Sequence, residues 1–226
     1  MTLYLLPNLL HPDADPKFNF VPGLEEIVNQ LDGFFVEHPK EARVYLKHFD
    51  FEKLKGKPME ILDKETTNFV TLLQPLLKGE KWGIISDAGL PCIADPGAKL
   101  VYGAKDKNIE VVAIPGPSSI FLALMLCGIE SQTFSFQGYL PRDCKVQRLG
   151  MLQLFIETPY NNQKSLEKLL THLQDDDLLS IACDLTLPTQ KVITKKIKWW
   201  KEHHKEEDFY KRQAIFLIKT RSLNKF

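Results

Sequence analysis

Two short loops carry the residue types from which a ligand site can be built. The first reads Ser86-Asp87-Ala88-Gly89-Leu90-Pro91 and runs on to Asp95-Pro96-Gly97; the second reads Ile114-Pro115-Gly116-Pro117-Ser118-Ser119. A carboxylate beside a glycine at a strand end suits a ribose hydroxyl, a metal ion or an amino group, because glycine lets the backbone come close to whatever the carboxylate holds. Proline and glycine also simply turn a chain. Against that plainer reading, the first connection spends Asp87, Gly89, Pro91, Asp95, Pro96 and Gly97 together, more backbone specification than a turn needs. The second places two hydroxyls and free amides at a helix start, where polar ligand groups are readily held. Neither loop has the Gly-rich run with Lys-Ser/Thr of a P-loop or the Gly-x-Gly-x-x-Gly of a dinucleotide site, which argues against both ligand classes.

Each loop follows an apolar run of strand type, Trp82-Gly83-Ile84-Ile85 and Glu110-Val111-Val112-Ala113-Ile114, and leads toward a helix-forming stretch. Strand ends of a parallel α/β sheet are where ligands bind, so both loops are expected to line one pocket. Earlier in the chain, residues 3–6, 34–36 and 59–62 read as strands. Leu24, Ile27, Val28 and Leu31 are spaced for one helix face, Pro39 suits the first turn of a helix reaching about Phe49, and Asp63 is a candidate cap for the helix carrying Phe69, Leu72, Leu73 and Leu76. Later, residues 152–156, 178–185 and 214–218 read as strands, residues 165–173 and 197–204 as helices, and 186–190 as a loop. A polar, basic shift at residues 142–148 marks a domain boundary. The expected fold is two consecutive α/β domains, residues 1–141 and 149–226.

Composition places the 226-residue chain among ordinary globular proteins, with 44% hydrophobic and 26% charged residues. Its apolar runs fall far short of a membrane span and its start lacks a basic signal-peptide region, so a cytoplasmic protein without a membrane partner is expected. Lys plus Arg and Asp plus Glu balance at 29 each, which removes the strongest compositional argument for nucleic acid without excluding it. Lysines nevertheless cluster at 47, 53, 55 and 57 and again at 191, 195, 196, 198 and 201, and either group could touch phosphates. Cys92, Cys127, Cys144 and Cys183 are scattered and expected reduced; adjacent His203 and His204 point ~100° apart on a helix and do not converge on a metal, and no metal is expected.

The run Ile85-Ser86-Asp87-Ala88-Gly89-Leu90-Pro91, with Ala94-Asp95-Pro96-Gly97 and Ile114-Pro115-Gly116-Pro117-Ser118-Ser119 after it, resembles the tetrapyrrole methylase superfamily. Within it the pattern looks most like the ribosomal RNA small subunit methyltransferase I group, which uses S-adenosylmethionine to methylate a cytidine ribose 2′-oxygen. Leu3-Tyr4-Leu5-Leu6-Pro7, Val36-Glu37, residues 136–141, Phe155-Ile156-Glu157-Thr158-Pro159-Tyr160 and Ala182-Cys183-Asp184-Leu185-Thr186 agree in order and spacing, so the resemblance covers almost the whole chain.

The resemblance implies a cofactor folded between two α/β domains. Its contacts would come from Leu6, Pro7, Asp87, Ala88, Gly89, Leu90, Pro91, Ile93, Ser118, Ser119 and Ile120, and from Pro159, Tyr160 and Leu185 in the second domain. Glu37 and Glu157 match positions suited to a base or orienting group for the acceptor hydroxyl, and Lys40 and Arg43 to phosphate contacts. It also implies ribosomal RNA or the small subunit as partner and a homodimer, the latter suggested as well by adjacent Trp199 and Trp200, which cannot both face one core. The sequence departs from the family with Asn8-Leu9-Leu10-His11-Pro12 in place of Thr-Pro-Ile-Gly-Asn-Leu, with His38-Pro39-Lys40 after Glu37 in place of Asp-Thr-Arg, and with a short segment between Pro141 and Leu152. These changes leave methylation of a small molecule such as a tetrapyrrole, or a cofactor-binding module without catalysis, as alternatives.

Overall fold

A computed structural model describes residues 1–221. The chain divides into two compact units, Met1–Ser118 and Ser119–Phe226.

The first unit runs β1 (Thr2–Leu6), α1 (Pro16–Asn19), α2 (Leu24–Asn29), β2 (Gly33–Val36), α3 (Pro39–Leu46), α4 (Phe51–Leu54), β3 (Met59–Ile61), α5 (Phe69–Leu77), β4 (Lys81–Ile85), α6 (Ala98–Asp106) and β5 (Glu110–Ala113). Its five strands are all parallel, in the order β3-β2-β4-β1-β5. Because successive side chains alternate faces, Phe34, Val36, Leu6 and Ile85 join one buried cluster with Leu24, Val28, Tyr45 and Leu46. Phe35, Leu3 and Ile84 join the other with Leu72, Leu76, Leu100 and Ala104. Helices therefore cover both faces, which explains why these strands read as continuous apolar runs. After β1 the chain leaves toward β2, and after β4 it leaves toward β5. The neighbours β1 and β4 thus form the switch point of the sheet, where a crevice opens beyond the strand ends.

The second unit runs α7 (Ser119–Leu126), β6 (Phe134–Tyr139), β7 (Leu152–Glu157), α8 (Asn162–His172), β8 (Leu178–Cys183), β9 (Lys191–Lys196), α9 (Ile197–His203) and β10 (Ala214–Lys219). Its sheet, ordered β6-β7-β10-β8-β9, is antiparallel except for the β6–β7 pair. Trp200, Phe209 and Phe216 fill a core under α8 and α9. The β6–β7 register shifts between Phe136 and Tyr139, where Gly138 takes φ +75°.

The expected elements are present, with one addition and three corrections. Phe134–Tyr139, placed before the boundary by the composition shift, pairs with β7 and belongs to the second sheet; the basic segment at 142–148 is a connection inside one unit. Strand β9 occupies residues 191–196, between the expected loop and the expected helix, where the sequence pattern indicated no element. The cap of α5 is Asn68, whose side chain accepts from the Thr71 amide at 3.2 Å, while Asp63 closes its own turn with Thr66. Trp200 is fully buried with its indole N–H on the Leu179 carbonyl at 3.0 Å, and Trp199 packs on it and stacks on His203, so the pair needs no partner subunit. All four cysteines are free.

Candidate active site

The loops that follow β1 and β4 are stitched together across the switch point. The Asn8 amide donates to the Gly89 carbonyl at 2.7 Å and the Gly89 amide returns to the Leu9 carbonyl at 3.2 Å. The buried Asn8 side chain donates to the carbonyls of Ser86 (2.8 Å) and Asp87 (3.1 Å), and its own oxygen accepts from the Leu9 amide at 2.7 Å. One asparagine thus satisfies four backbone groups of two loops. Gly89 sits at φ +67°, and a Cβ there would lie 3.1 Å from Leu10 Cδ2. At Gly116 a Cβ would meet Pro7 Cβ at 2.0 Å, so the loop after β5 closes on β1 only because that position has no side chain. Three strand-end loops of the first unit meet in this way, as their sequences imply. The connection after β4 is also strained: Cys92 and Ala94 hold φ +68° and +64°, and Gly97 φ +128°.

Beside this clamp lies a group of acids. The ligating-type atoms of Glu37, His38 and Asp87 fall within 4.8 Å of one another, and His38 Nδ1 lies 2.6 Å from Asp87 Oδ2. Glu37, at the end of β2, lines a crevice with Phe35, Leu62, Ile84, Ser86 and Asp95. It forms no side-chain hydrogen bond among the described residues. Burial pushes its carboxyl above the usual carboxylate range and the Asp87 charge adds to this, with His38 and Lys64 opposing. Burial, with Glu37 and Asp87 contributing, pushes Asp95 up to about 6. The hydrogen bond to Asp87 raises the His38 imidazole.

The other predicted residues are less uniform. Leu6 and Leu185 are buried in the two units, so each offers a ligand only its backbone. Pro7, Gly89 and Pro91 are buried parts of the clamp, whereas Ala88 and Leu90 are half-buried and Asp87 and Ile93 exposed. Ser118, Ser119 and Ile120 are half-buried, and neither hydroxyl is hydrogen-bonded among the described residues. Tyr160 is exposed against Tyr210, with Lys211 over both rings, and the Pro159 carbonyl accepts from the Lys211 amide. Glu157 is already occupied: Oε1 accepts from the Thr158 amide at 2.7 Å and Oε2 from the Ser165 hydroxyl at 2.6 Å. Lys40 and Arg43 are exposed on α3 and form no ion pair among the described residues.

Of the late lysines, Lys191, Lys196 and Lys201 pair with Glu207, Asp176 and Asp175, and Lys195 lies over Trp199. In the early cluster Lys53 pairs with Asp50 and Lys57 donates to the Asn29 and Leu31 carbonyls. These lysines are therefore less available to phosphates than their clustering suggests. Asn8 and the His38–Asp87 pair escaped sequence reasoning as functional parts. A lone asparagine just past a strand-ending proline was the only signal for the first, and a histidine far from Asp87 in sequence gave none for the second.

The model of the family Tetrapyrrole (Corrin/Porphyrin) Methylases matches residues 25–199. The chain belongs to this family. Among relatives of this tetrapyrrole methylase family member, the Ribosomal RNA small subunit methyltransferase I of Streptococcus pyogenes serotype M6 is 31% identical over 80% of this chain and 63% of its own length. The protein of that name from Buchnera aphidicola subsp. Schizaphis graminum is 26% identical over 96% of this chain and 77% of its own. The chain thus spans less than two thirds of the streptococcal relative. Two solved structures share the fold: uroporphyrin-III-C-methyltransferase from Thermus thermophilus (TM-score 0.59, 11% identity, 96% of this chain and 93% of that one) and cobalt precorrin-4 methyltransferase (TM-score 0.58, 14% identity, 96% and 94%).

Proposed function

We propose that this family member is an S-adenosylmethionine-dependent methyltransferase acting on small-subunit ribosomal RNA, with a cytidine ribose 2′-oxygen as acceptor. The observation that carries this reading is the clamped loop after β4 at the sheet's switch point, with Glu37, His38 and Asp87 gathered beside it. The residues present suit the cofactor. A nucleoside sulfonium offers hydroxyl and ammonium donors, and Asp87 keeps one carboxylate oxygen clear of His38 to accept from them. Exposed Ile93 and half-buried Leu90 offer apolar surface to a base.

When bound, the cofactor would supply an activated methyl group. The protein's own tasks are then to align the acceptor oxygen and exclude water. Glu37, half-buried and with no side-chain hydrogen bond among the described residues, is the group proposed to orient the acceptor hydroxyl. Glu157, with both oxygens engaged, is better read as holding the start of α8. Ser118, Ser119, Ile120, Pro159, Tyr160 and the Leu185 backbone stay within the proposed cofactor set. The departure at residues 8–12 supplies its own clamp through Asn8, which favours a working loop over a degenerate one.

RNA as acceptor is supported by α3, which begins two residues after Glu37 and carries Lys40 and Arg43, with Lys47 at its C-cap. The spacing i, i+3, i+7 puts the three on one helix face. The names of the relatives support the same partner, and a ribosomal substrate supports a cytoplasmic location. Among the described residues no helix is long and apolar enough to cross a membrane. Assembly of two copies is proposed on α7, where Ala123 is the one buried residue and Phe121 and Met125 are 54% and 78% exposed.

Calorimetric titration with S-adenosylmethionine tests the cofactor, and methyl transfer to purified small subunits tests the acceptor. No heat at millimolar cofactor removes the whole reading. Replacing Lys40 and Arg43 together is expected to flatten the salt dependence of RNA binding by about two units of slope; an unchanged slope moves the RNA surface elsewhere.

A further inference from the structure

We propose that His38 is the base that takes the proton of the acceptor hydroxyl, with Asp87 holding its ring in the competent tautomer. The inference rests on the methyltransferase reading and adds to it a residue that neither the motif nor the relatives' names single out. Its ground is geometric. His38 Nδ1 meets Asp87 Oδ2 at 2.6 Å, which fixes the Nδ1–H tautomer and leaves Nε2 with a free lone pair. The side chain is 64% exposed, so Nε2 is open to an incoming molecule. Its position is fixed from both sides: Pro39 starts α3 immediately after it, and Asp87 belongs to the loop that Asn8 clamps. No side-chain capping bond ties His38 to α3, so the imidazole is free for another task.

The step balances. The O–H bond of the acceptor breaks and its proton passes to Nε2, while the acceptor oxygen forms a bond to the methyl carbon. The carbon–sulfur bond breaks with its electron pair on sulfur, leaving a neutral thioether. The imidazolium formed is stabilised by the Asp87 carboxylate and loses its proton to water afterwards. A positioned base of this kind contributes typically ~100-fold or more. The charged groups facing His38 are Asp87 from the loop after β4 and Glu37 and Glu41 from its own segment, and all three favour the protonated ring. The basic form therefore predominates only above the ordinary histidine range, and turnover should rise with pH through that raised value.

Imidazole NMR of the protein without cofactor tests the pair directly. The expected result is a His38 titration above that of free histidine, an Nδ1–H tautomer at high pH, and a fall of the titration toward the ordinary value in Asp87→Asn. An unshifted titration with an Nε2–H tautomer overturns the proposal. So does displacement of the His38 signals by magnesium together with turnover that requires it, which would assign the cluster to a cation. With small subunits as substrate, His38→Gln is expected to keep cofactor affinity within about twofold, lose about 100-fold in turnover and lose the rising limb of the pH profile. Circular dichroism confirms that the variant is folded. Wild-type turnover with His38→Gln equally fast removes the base alone. A wild type that binds cofactor yet never methylates subunits removes the function reading and the base with it.

Discussion

Two glutamates end strands just before helices, Glu37 after β2 and Glu157 at the end of β7, and their surroundings use them in opposite ways. Glu157 accepts from the next amide and from Ser165 one turn into α8, so its charge is spent inside the unit that carries it. Glu37 has no such partner among the described residues; it sits half-buried in a crevice that also holds Asp95, with Asp87 close by, and its carboxyl is pushed upward. Identical residue type and nearly identical sequence context therefore give one hydrogen-bonded anchor and one strained acid. The difference lies in what the sheet order brings alongside: β4 pairs with β2 and delivers the charged Asp87, whereas β10 sets the uncharged Ala214 opposite Glu157 and leaves its carboxylate to Ser165 of the following helix.

The comparison can be broken by exchanging charge for amide at both places. Glu37→Gln is expected to lower methyl transfer by roughly 100-fold with cofactor affinity unchanged. Full activity of that variant on small subunits would reduce Glu37 to a spectator. Glu157→Gln should leave turnover near wild type and instead cost about 1–3 kcal/mol in urea unfolding, through the loss of charge-assisted hydrogen bonds. The reverse pattern would mean the two have been assigned the wrong way round.

Two further variants sharpen the contrast by acting on the surroundings of Glu37. Asn8→Ala strips the clamp from the Ser86 and Asp87 carbonyls and should cost ~1–3 kcal/mol, with weaker cofactor binding alongside; calorimetry and denaturant melts on one preparation separate the two effects. Asp95→Asn tests the electrostatic strain. Asp95 titrates near 6 in the fold and near 3.8 unfolded, so the folded state binds more protons, and wild-type stability falls as pH rises through that window. The Asn variant should be the more stable protein at pH 8, with the advantage gone by about pH 4. Equal pH dependence in both proteins would show that Asp95 carries no such strain.

Much of this site was legible before the fold was known, because the connection after β4 spends so many turn residues that a backbone with special φ angles is implied, and Gly89, Cys92, Ala94 and Gly97 adopt them. The parallel strands were legible for a related reason: buried on both faces, they carry uninterrupted apolar runs. Strand β9 was not, since Lys191, Lys195 and Lys196 break any apolar pattern on an edge strand. The second-unit assignment of β6 depended on pairing with β7, which local composition does not encode. His38 and Asp87 lie 49 residues apart and meet only because β2 and β4 are neighbours. Gly89 is a reminder that legibility can mislead: its sequence suggests space kept for a ligand, yet its amide and carbonyl are both used by Leu9 and Asn8, so Gly89→Val would weaken the fold as well as the site.

The register shift in β6 reaches beyond the site. A regular edge strand presents a row of open amides and carbonyls on which a stray chain can polymerise. Here the row is interrupted after Phe136 by the bulge at Gly138, and the opposite edge of the same sheet is guarded by the lysines of β9. Both margins of the folded second sheet are thus poor templates for edge-to-edge stacking, which should hinder association through this sheet when the protein is concentrated.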